Sequence, residues 1–172
     1  MPDSRPEPPT PEPPTPAPAT REPATPVPAE AVGPFEVSAD VLHEMVAHCL
    51  AALPDEGCGL VAGPPGGGAV RCYPTRNAAA SAKVYTVDPG DHLRADIDAE
   101  AAGMQILGVF HSHTHTDAYP SPTDVGQAPD PEWHYLLVSL RHEVPAIRSY
   151  RIRDGNILEE PIVVTGRYNL TS

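Results

Sequence analysis

Proline is concentrated at the amino end of the sequence, and this concentration limits what the chain can fold into. Thirteen of the 24 prolines lie within the first 34 residues, which contain no aromatic residue and repeat a Pro-Pro-Thr-Pro theme. A segment of this composition cannot bury enough apolar surface to offset its loss of conformational entropy. We therefore predict a disordered proline-rich arm with polyproline II character over residues 1–34, followed by one compact domain over residues 35–172.

Such an arm has several uses that the sequence leaves open. It could act as a solubilising tail, as a ligand for a proline-binding module, or as a phosphorylation site at its Thr-Pro pairs. None of these uses requires the arm to take part in chemistry. We therefore place the candidate chemistry in the compact domain.

The charge of the chain and the length of its apolar stretches argue against two classes of partner. The formal net charge is −12; the arm has five acidic and two basic residues, a net −3, which leaves −9 for the remainder. No run of lysine or arginine is present to neutralise phosphates, so we expect no nucleic acid partner. No apolar stretch approaches the length of about 18 residues that a spanning helix needs, so we expect no membrane partner.

The three cysteines indicate a reducing compartment. Cys49, Cys58 and Cys72 are an odd number and contain no C-x-x-C pair. This pattern favours reduced thiols over a disulfide framework. We therefore expect a cytoplasmic protein.

The spacing of apolar residues predicts the elements of the domain. The stretch SADVLHEMVAHCLAAL places its apolar side chains on one stripe behind Ser38, which predicts a capped amphipathic helix that ends before Pro54. DPGDHLRADIDAEAAGM predicts a second helix with Pro89 in its first turn. The predicted strands are GCGLVAG, AVRCYPT, KVYTV, QILGVFHSH and HYLLVSL, and the hairpin IRSYRIRDGNILEEPIVV turns at Asp154-Gly155. Together these elements predict a compact α/β domain with a mixed sheet.

The stretch FHSHTHTDAYPSPTD carries the candidate chemistry. His111 and His113 are two residues apart at the end of a predicted strand, so both side chains can reach one ion. Asp124 could supply a third ligand and leave zinc an open fourth position, as in a hydrolytic site. A less specific interpretation also fits, because the histidines could face solvent. Ser121, Pro122 and Asp124 also form a good helix start, with Ser121 as the N-cap.

The pattern H-x-H-x7-S-x-x-D resembles the signature of the JAMM metallopeptidases, also called the MPN-plus or Mov34 family. The stretch PDEGCGLVAG supplies, at Glu56, the upstream glutamate that this family requires. The resemblance implies one zinc ion per chain, bound by His111, His113 and Asp124. It implies that Glu56 is the general base and that Ser121 assists the oxyanion. It also implies the JAMM/MPN (cytidine-deaminase-like) fold, a mixed central sheet flanked by helices.

Within that family the chain resembles small bacterial members. The stretches HYLLVSL and SYRI are similar to those of actinobacterial peptidases that release cysteine from a ubiquitin-fold sulfur-carrier protein during cysteine biosynthesis. The resemblance implies hydrolysis of the bond after the carrier's C-terminal Gly-Gly. A deconjugating isopeptidase for a ubiquitin-like modifier is the alternative enzyme, and a metal-free MPN scaffold module is the alternative without activity.

Three points stay open in the sequence. His115 departs from the family pattern and is either a polar loop residue or a group that tunes the metal or the substrate entrance. An apolar surface helix could support a homodimer. The sequence also leaves open how the carrier tail passes residues such as Tyr119.

Overall fold

The fold consists of eight strands and three helices within residues 32–166, the range that the computed structural model describes. Apart from its last three residues, the predicted arm lies outside this range, as do residues 167–172, so its disorder stays a prediction. In chain order the elements are β1 (Phe35–Ser38), α1 (Ala39–Ala51), β2 (Cys58–Gly63), β3 (Arg71–Thr75), α2 (Pro89–Ala101), β4 (Gln105–His113), α3 (Pro122–Gln127), β5 (His134–Ser139), β6 (Ala146–Arg153), β7 (Asn156–Glu160) and β8 (Ile162–Thr165).

Six of the strands form one mixed sheet in the order β3-β2-β4-β5-β6-β7. The central pair β4 and β5 is parallel, and every other neighbouring pair in this sheet is antiparallel. The prediction of a mixed sheet is therefore confirmed. The parallel pair places the carboxyl ends of β4 and β5 at the same edge, which is where parallel strands commonly position a site.

The helices cover both faces of this sheet. α1 packs on one face, where its apolar stripe joins a core cluster that includes Met45 and Phe110. α2 and α3 pack on the other face, over a cluster that includes Val109, Leu137 and Tyr150. Because side chains alternate along a strand, Phe110 lies in the first cluster and His111 points to the second face.

The predicted helix starts are confirmed by the caps. The Ser38 side chain accepts a hydrogen bond from the Val41 amide at the start of α1. Asp88 accepts from two amides at the start of α2, where Pro89 occupies the first helical position. The predicted hairpin turn is also confirmed, since Asp154 and Gly155 both have positive φ between β6 and β7.

Two strand predictions are wrong. The stretch KVYTV, residues 83–87, is a loop that contributes one isolated bridge between Val87 and Asn77. Its backbone is held by the Asn77 side chain instead of by a neighbouring strand. Residues 162–165 do not extend the last hairpin. After Pro161 they form β8, which pairs in parallel with β1 in a separate two-stranded sheet.

Candidate metal centre

The two histidines and the aspartate of the sequence pattern meet at the carboxyl end of β4. His111 and His113 lie on the same face of this strand, and Asp124 lies in the first turn of α3. Their ligand atoms all lie within 4.8 Å of one another. All three side chains are almost fully buried, with at most 9% of any side chain exposed.

The distances within this group match a tetrahedral ion. The two Nε2 atoms of His111 and His113 are 3.2 Å apart. Asp124 Oδ2 lies 3.3 Å from His113 Nε2, and Asp124 Oδ1 lies 3.4 Å from His111 Nε2. A zinc ion with bonds of about 2.0–2.1 Å to each ligand separates its tetrahedral ligands by about 3.3 Å. The group therefore fits zinc by distance.

The hydrogen bonds of His113 point to the same conclusion. His113 Nδ1 lies 2.9 Å from the Asp117 carbonyl oxygen and 3.0 Å from Thr116 Oγ1. A carbonyl oxygen only accepts, so Nδ1 carries the hydrogen and Nε2 of the neutral ring presents a lone pair. That lone pair faces a carboxylate oxygen of Asp124, and a cation is needed there.

The pKa shifts of these three side chains follow from their burial and from the charges that face them. Burial alone would lower the pKa of His113, but the Asp124 carboxylate raises it above its usual value. Burial would raise the pKa of Asp124, but the two histidines lower it. Burial lowers the pKa of His111. The opposite pKa shifts of His113 and Asp124 show that each of these two side chains stabilises the charged form of the other.

Asp124 is held in position by its helix start. The Ser121 amide donates to Asp124 Oδ2 at 2.6 Å, and the Asp124 amide donates to Ser121 Oγ at 3.2 Å. This reciprocal pair is the capping box that the sequence predicts. In this position Asp124 Oδ1 still faces His111, and Oδ2 still faces His113. Ser121 and Asp124 therefore serve both as the start of the helix and as part of the candidate site.

Glu56 lies beside this group because of strand pairing. Cys58 at the start of β2 is paired with His111, so Glu56, two residues earlier, lies opposite His113. Its side chain is buried, with 5% of the residue exposed. Burial raises the pKa of Glu56 to about 7; the nearby His113 lowers it and Asp124 raises it further. A carboxylate with this pKa can both accept and donate a proton near neutral pH.

Ser112 is a site residue that sequence reasoning missed. Its side chain points to the face opposite the two histidines, and its hydroxyl accepts a hydrogen bond from the Gly57 amide at 2.9 Å. The Ser112 amide in turn donates to the Gly57 carbonyl at 2.9 Å. A Cβ on Gly57 would lie 2.8 Å from the Cys49 backbone, so only glycine lets this segment pack against α1. Ser112 thus fixes the residue next to Glu56.

Asn77 and Tyr85 were also missed. Both lie in the loop between β3 and α2. Tyr85 belongs to the stretch that the sequence predicts to be a strand, and Asn77 precedes that stretch. Tyr85 stacks on the ring of His111, and the Asn77 side chain donates to the Glu56 carbonyl oxygen at 3.0 Å. No spacing pattern in the sequence signals either contact, because each joins residues that are far apart along the chain.

The remaining predicted residues lie at the edge of the candidate metal centre. Ser121 is half-buried and lines, with His113, Tyr119 and Val125, a cavity of about 650 Å³ next to the candidate metal centre. His115 is exposed beyond the end of β4, and its Nδ1 lies 2.6 Å from Thr114 Oγ1. It is therefore outside the group formed by the other two histidines.

Comparison with known proteins defines the class of this chain. The model of the family described as prokaryotic homologues of the JAB domain matches residues 38–153. The chain belongs to this family, which confirms the JAMM/MPN resemblance and fold predicted from the sequence. Within residues 32–166, none of the helices is long and apolar enough to cross a membrane.

Individual relatives show how far the similarity extends along the chain. The chain is 44% identical over 137 residues to the CysO-cysteine peptidase of Mycobacterium tuberculosis, an alignment that covers 77% of this chain and 92% of that protein. It is 36% identical over 88 residues to the desampylase of Haloferax volcanii, which covers 50% of this chain and 63% of that protein. The solution structure of a Desulfitobacterium hafniense protein superposes with a TM-score of 0.72 at 34% identity, covering 78% of this chain and 95% of that one.

Proposed function

We propose that the chain is a zinc-dependent peptidase that hydrolyses the bond after the C-terminal Gly-Gly of a ubiquitin-fold sulfur-carrier protein and releases cysteine for cysteine biosynthesis. The observation that carries this proposal is the buried group of His111, His113 and Asp124. Its ligand atoms are separated by 3.2 to 3.4 Å, and Glu56 lies opposite His113. A helix start or a solvent-facing histidine pair does not require this convergence.

Each residue has a role in the proposed reaction. His111, His113 and Asp124 would hold the zinc ion, which when bound lowers the pKa of water and polarises the scissile carbonyl. Glu56 accepts a proton from the attacking water and passes it to the leaving amine, for which a pKa of about 7 is suitable. The Ser121 hydroxyl accepts from the Asp124 amide, so its own hydrogen is available to donate to the developing oxyanion.

The choice of substrate is supported by the extent of one relationship. The similarity to the CysO-cysteine peptidase extends over 92% of that protein, so the comparison covers nearly the whole relative instead of a fragment of it. We therefore place a carrier–cysteine adduct first. The acidic charge of this chain, −12 overall, favours a carrier with a basic docking face.

A second candidate is an isopeptidase that removes a ubiquitin-like modifier from lysine side chains. It is favoured by the similarity to the desampylase and, at 37% identity over 93 residues, to a probable TtuB-protein conjugate cleaving protease of Thermus thermophilus. These two alignments cover 63% and 62% of the relatives. The shorter coverage places this candidate second.

The test begins with the metal and continues with the bond. Elemental mass spectrometry of the purified full chain should find about one zinc per chain, and the Asp124→Ala variant should have lost it. The zinc-loaded protein is then given a Gly-Gly-terminated sulfur carrier joined to free cysteine and, separately, the same carrier joined to a lysine side chain. Faster release of cysteine supports the first candidate, and faster cleavage at lysine supports the second. A folded protein without zinc would leave only the metal-free scaffold.

A further inference from the structure

The two histidines of the candidate metal centre are held in different ways. In histidines that bind metals, the N–H of the second ring nitrogen usually donates a hydrogen bond to an acceptor, which fixes the plane of the ring. His113 does so, through the Asp117 carbonyl and Thr116. His111 Nδ1 is buried and has no hydrogen-bond partner among residues 32–166. Something other than a hydrogen bond must therefore hold the His111 ring.

The aromatic ring of Tyr85 is stacked directly on the His111 ring. The ring of Tyr85 lies against the imidazole with a centroid separation of 4.1 Å and an angle of 17° between the ring planes. This near-parallel contact is lost if either ring turns about its long axis, so it restrains the direction in which His111 Nε2 points. The restraint acts on the same ring nitrogen that lies 3.2 Å from His113 Nε2.

The loop that carries Tyr85 is itself held by one side chain. Asn77 Nδ2 donates to the Val84 carbonyl at 3.2 Å, and Asn77 Oδ1 accepts from the Thr86 amide at 3.0 Å. These two bonds lie on either side of Tyr85 in the chain. Asn77 Nδ2 also donates to the Glu56 carbonyl at 3.0 Å. One amide group therefore links the segment that carries Glu56 to the ring that covers His111.

We propose that Tyr85 is a positioning residue of the metal centre, which holds the His111 ring by stacking where His113 is held by hydrogen bonds, and that Asn77 fixes Tyr85 in this position. The inference rests on the proposed zinc site but goes beyond it, since it concerns a residue that is not a ligand. Its consequence is that zinc affinity depends on the aromatic ring at residue 85 and not on its hydroxyl group.

The test compares two substitutions at Tyr85 with one at a matched tyrosine. Tyr85→Phe keeps the stacked ring, and Tyr85→Leu removes it but keeps an apolar side chain. Tyr73→Leu is the control, because Tyr73 packs against the same core cluster and belongs to β3. Zinc affinity is measured on the full chain by competition with a chromogenic chelator. The visible absorption of the cobalt-substituted protein reports the geometry of the ligands.

We expect Tyr85→Phe and Tyr73→Leu to bind zinc within about twofold of the unmodified chain, and Tyr85→Leu to bind it about 10–100-fold more weakly with an altered cobalt spectrum. Unchanged affinity in Tyr85→Leu, or an equal loss in Tyr73→Leu, would overturn the proposal. If Tyr85→Leu does not fold, Asn77→Asp replaces it, and unchanged zinc affinity in that variant is then the contradicting result. Absence of Asp124-dependent zinc in the unmodified chain would reject the proposed function itself, so the two failures are distinguishable.

Discussion

Two clusters of histidine and carboxylate side chains, each built around a buried carboxylate, lie at opposite ends of β5. One is the candidate metal centre, where His113 is paired with Ser139 at the carboxyl end of this strand. The other surrounds His134 at its amino end, where Glu160 from β7 is 1% exposed at its side chain. An aromatic ring stacks on one histidine in each cluster. The residue types are therefore similar, and the difference between the clusters lies in how their polar atoms are paired.

In the second cluster, each carboxylate oxygen of Glu160 has a donor. His134 Nδ1 and Ser149 Oγ donate to Oε1 at 2.6 and 2.7 Å, and Arg151 Nε donates to Oε2 at 3.2 Å. Arg151 Nη2 also donates to His134 Nε2 at 3.1 Å. Burial would raise the pKa of Glu160, but these donors, His134 first, lower it below its usual value. This cluster is electrostatically complete without any ligand.

In the metal centre the partners do not match. Lone pairs of two imidazoles and a carboxylate face one another, and His111 Nδ1 has no hydrogen-bond partner in the described range. Burial also raises the pKa of Glu56, next to this group, to about 7. A complete cluster stabilises the fold, whereas an incomplete one is suited to bind an ion and to move protons. Substitutions in the metal centre should therefore mainly lower activity, and substitutions in the second cluster should mainly lower stability.

The largest expected effect is on activity at Glu56. Glu56→Gln should retain about one zinc per chain but lower the rate of cleavage by about 10³-fold, because the amide cannot accept the proton of the attacking water. The matched control is Asp55→Asn, which removes the adjacent acid. Asp55 is half-buried in the same turn and should be replaceable without loss of rate. The measurement is initial rate on the carrier adduct together with zinc content. A Glu56→Gln variant with normal activity would remove Glu56 from the mechanism.

The next effect is on stability at Glu160. Glu160→Gln leaves the half-buried Arg151 without its carboxylate and should lower the free energy of unfolding by about 3 kcal/mol. Zinc content should not change, since Glu160 belongs to the cluster at the other end of β5. The control is Glu159→Gln, an exposed residue that forms a 3.4 Å surface pair with Arg148 and should cost less than about 1 kcal/mol. Urea denaturation measures both. Loss of zinc in Glu160→Gln would show that the two clusters are not independent.

A smaller effect is expected at Ser121, which has both a structural and a proposed chemical role. Ser121→Gly removes the hydroxyl but keeps an acceptable N-cap, so stability should fall by only a few tenths of a kcal/mol. The rate should nevertheless fall by about 10²-fold, because the proposed oxyanion donor is lost. Ser121→Thr retains a hydroxyl and should recover most of the rate. Equal rates in Ser121→Gly and the unmodified chain would limit Ser121 to capping α3.

Local patterns were sufficient to predict most of the fold. The stripe behind Ser38 predicts α1, and the Asp154-Gly155 pair predicts the turn between β6 and β7, because periodicity and turn chemistry act over a few residues. The histidine pair on β4 and the capping box at Ser121 and Asp124 are local in the same sense. From the residues alone their convergence was one of two interpretations, and the family resemblance favoured it.

Contacts between distant residues could not be predicted from these patterns. Residues 83–87 have the composition of a strand, but the Asn77 side chain takes the hydrogen bonds that a neighbouring strand would have supplied. Glu56 reaches the centre only because Cys58 is paired with His111 and Ser112 holds Gly57. The pairing of β1 with β8 joins the two ends of the domain. Each of these contacts depends on tertiary structure, which overrides local propensity.

The last expected effect is a pH dependence of stability in the metal-free protein. A carboxyl group whose pKa is raised from 4.5 in the unfolded chain to about 7 in the folded chain destabilises the folded state when it is ionised. This destabilisation is therefore absent below pH 4.5, grows as the pH rises from 4.5 to 7, and is constant above 7. Glutamine at this position has no charge to bury. With a chelator present, Glu56→Gln should unfold at a higher temperature than the unmodified chain at pH 8, and the two should converge near pH 4.5. A difference that is the same at both pH values would show that Glu56 does not titrate in the folded protein as its burial implies.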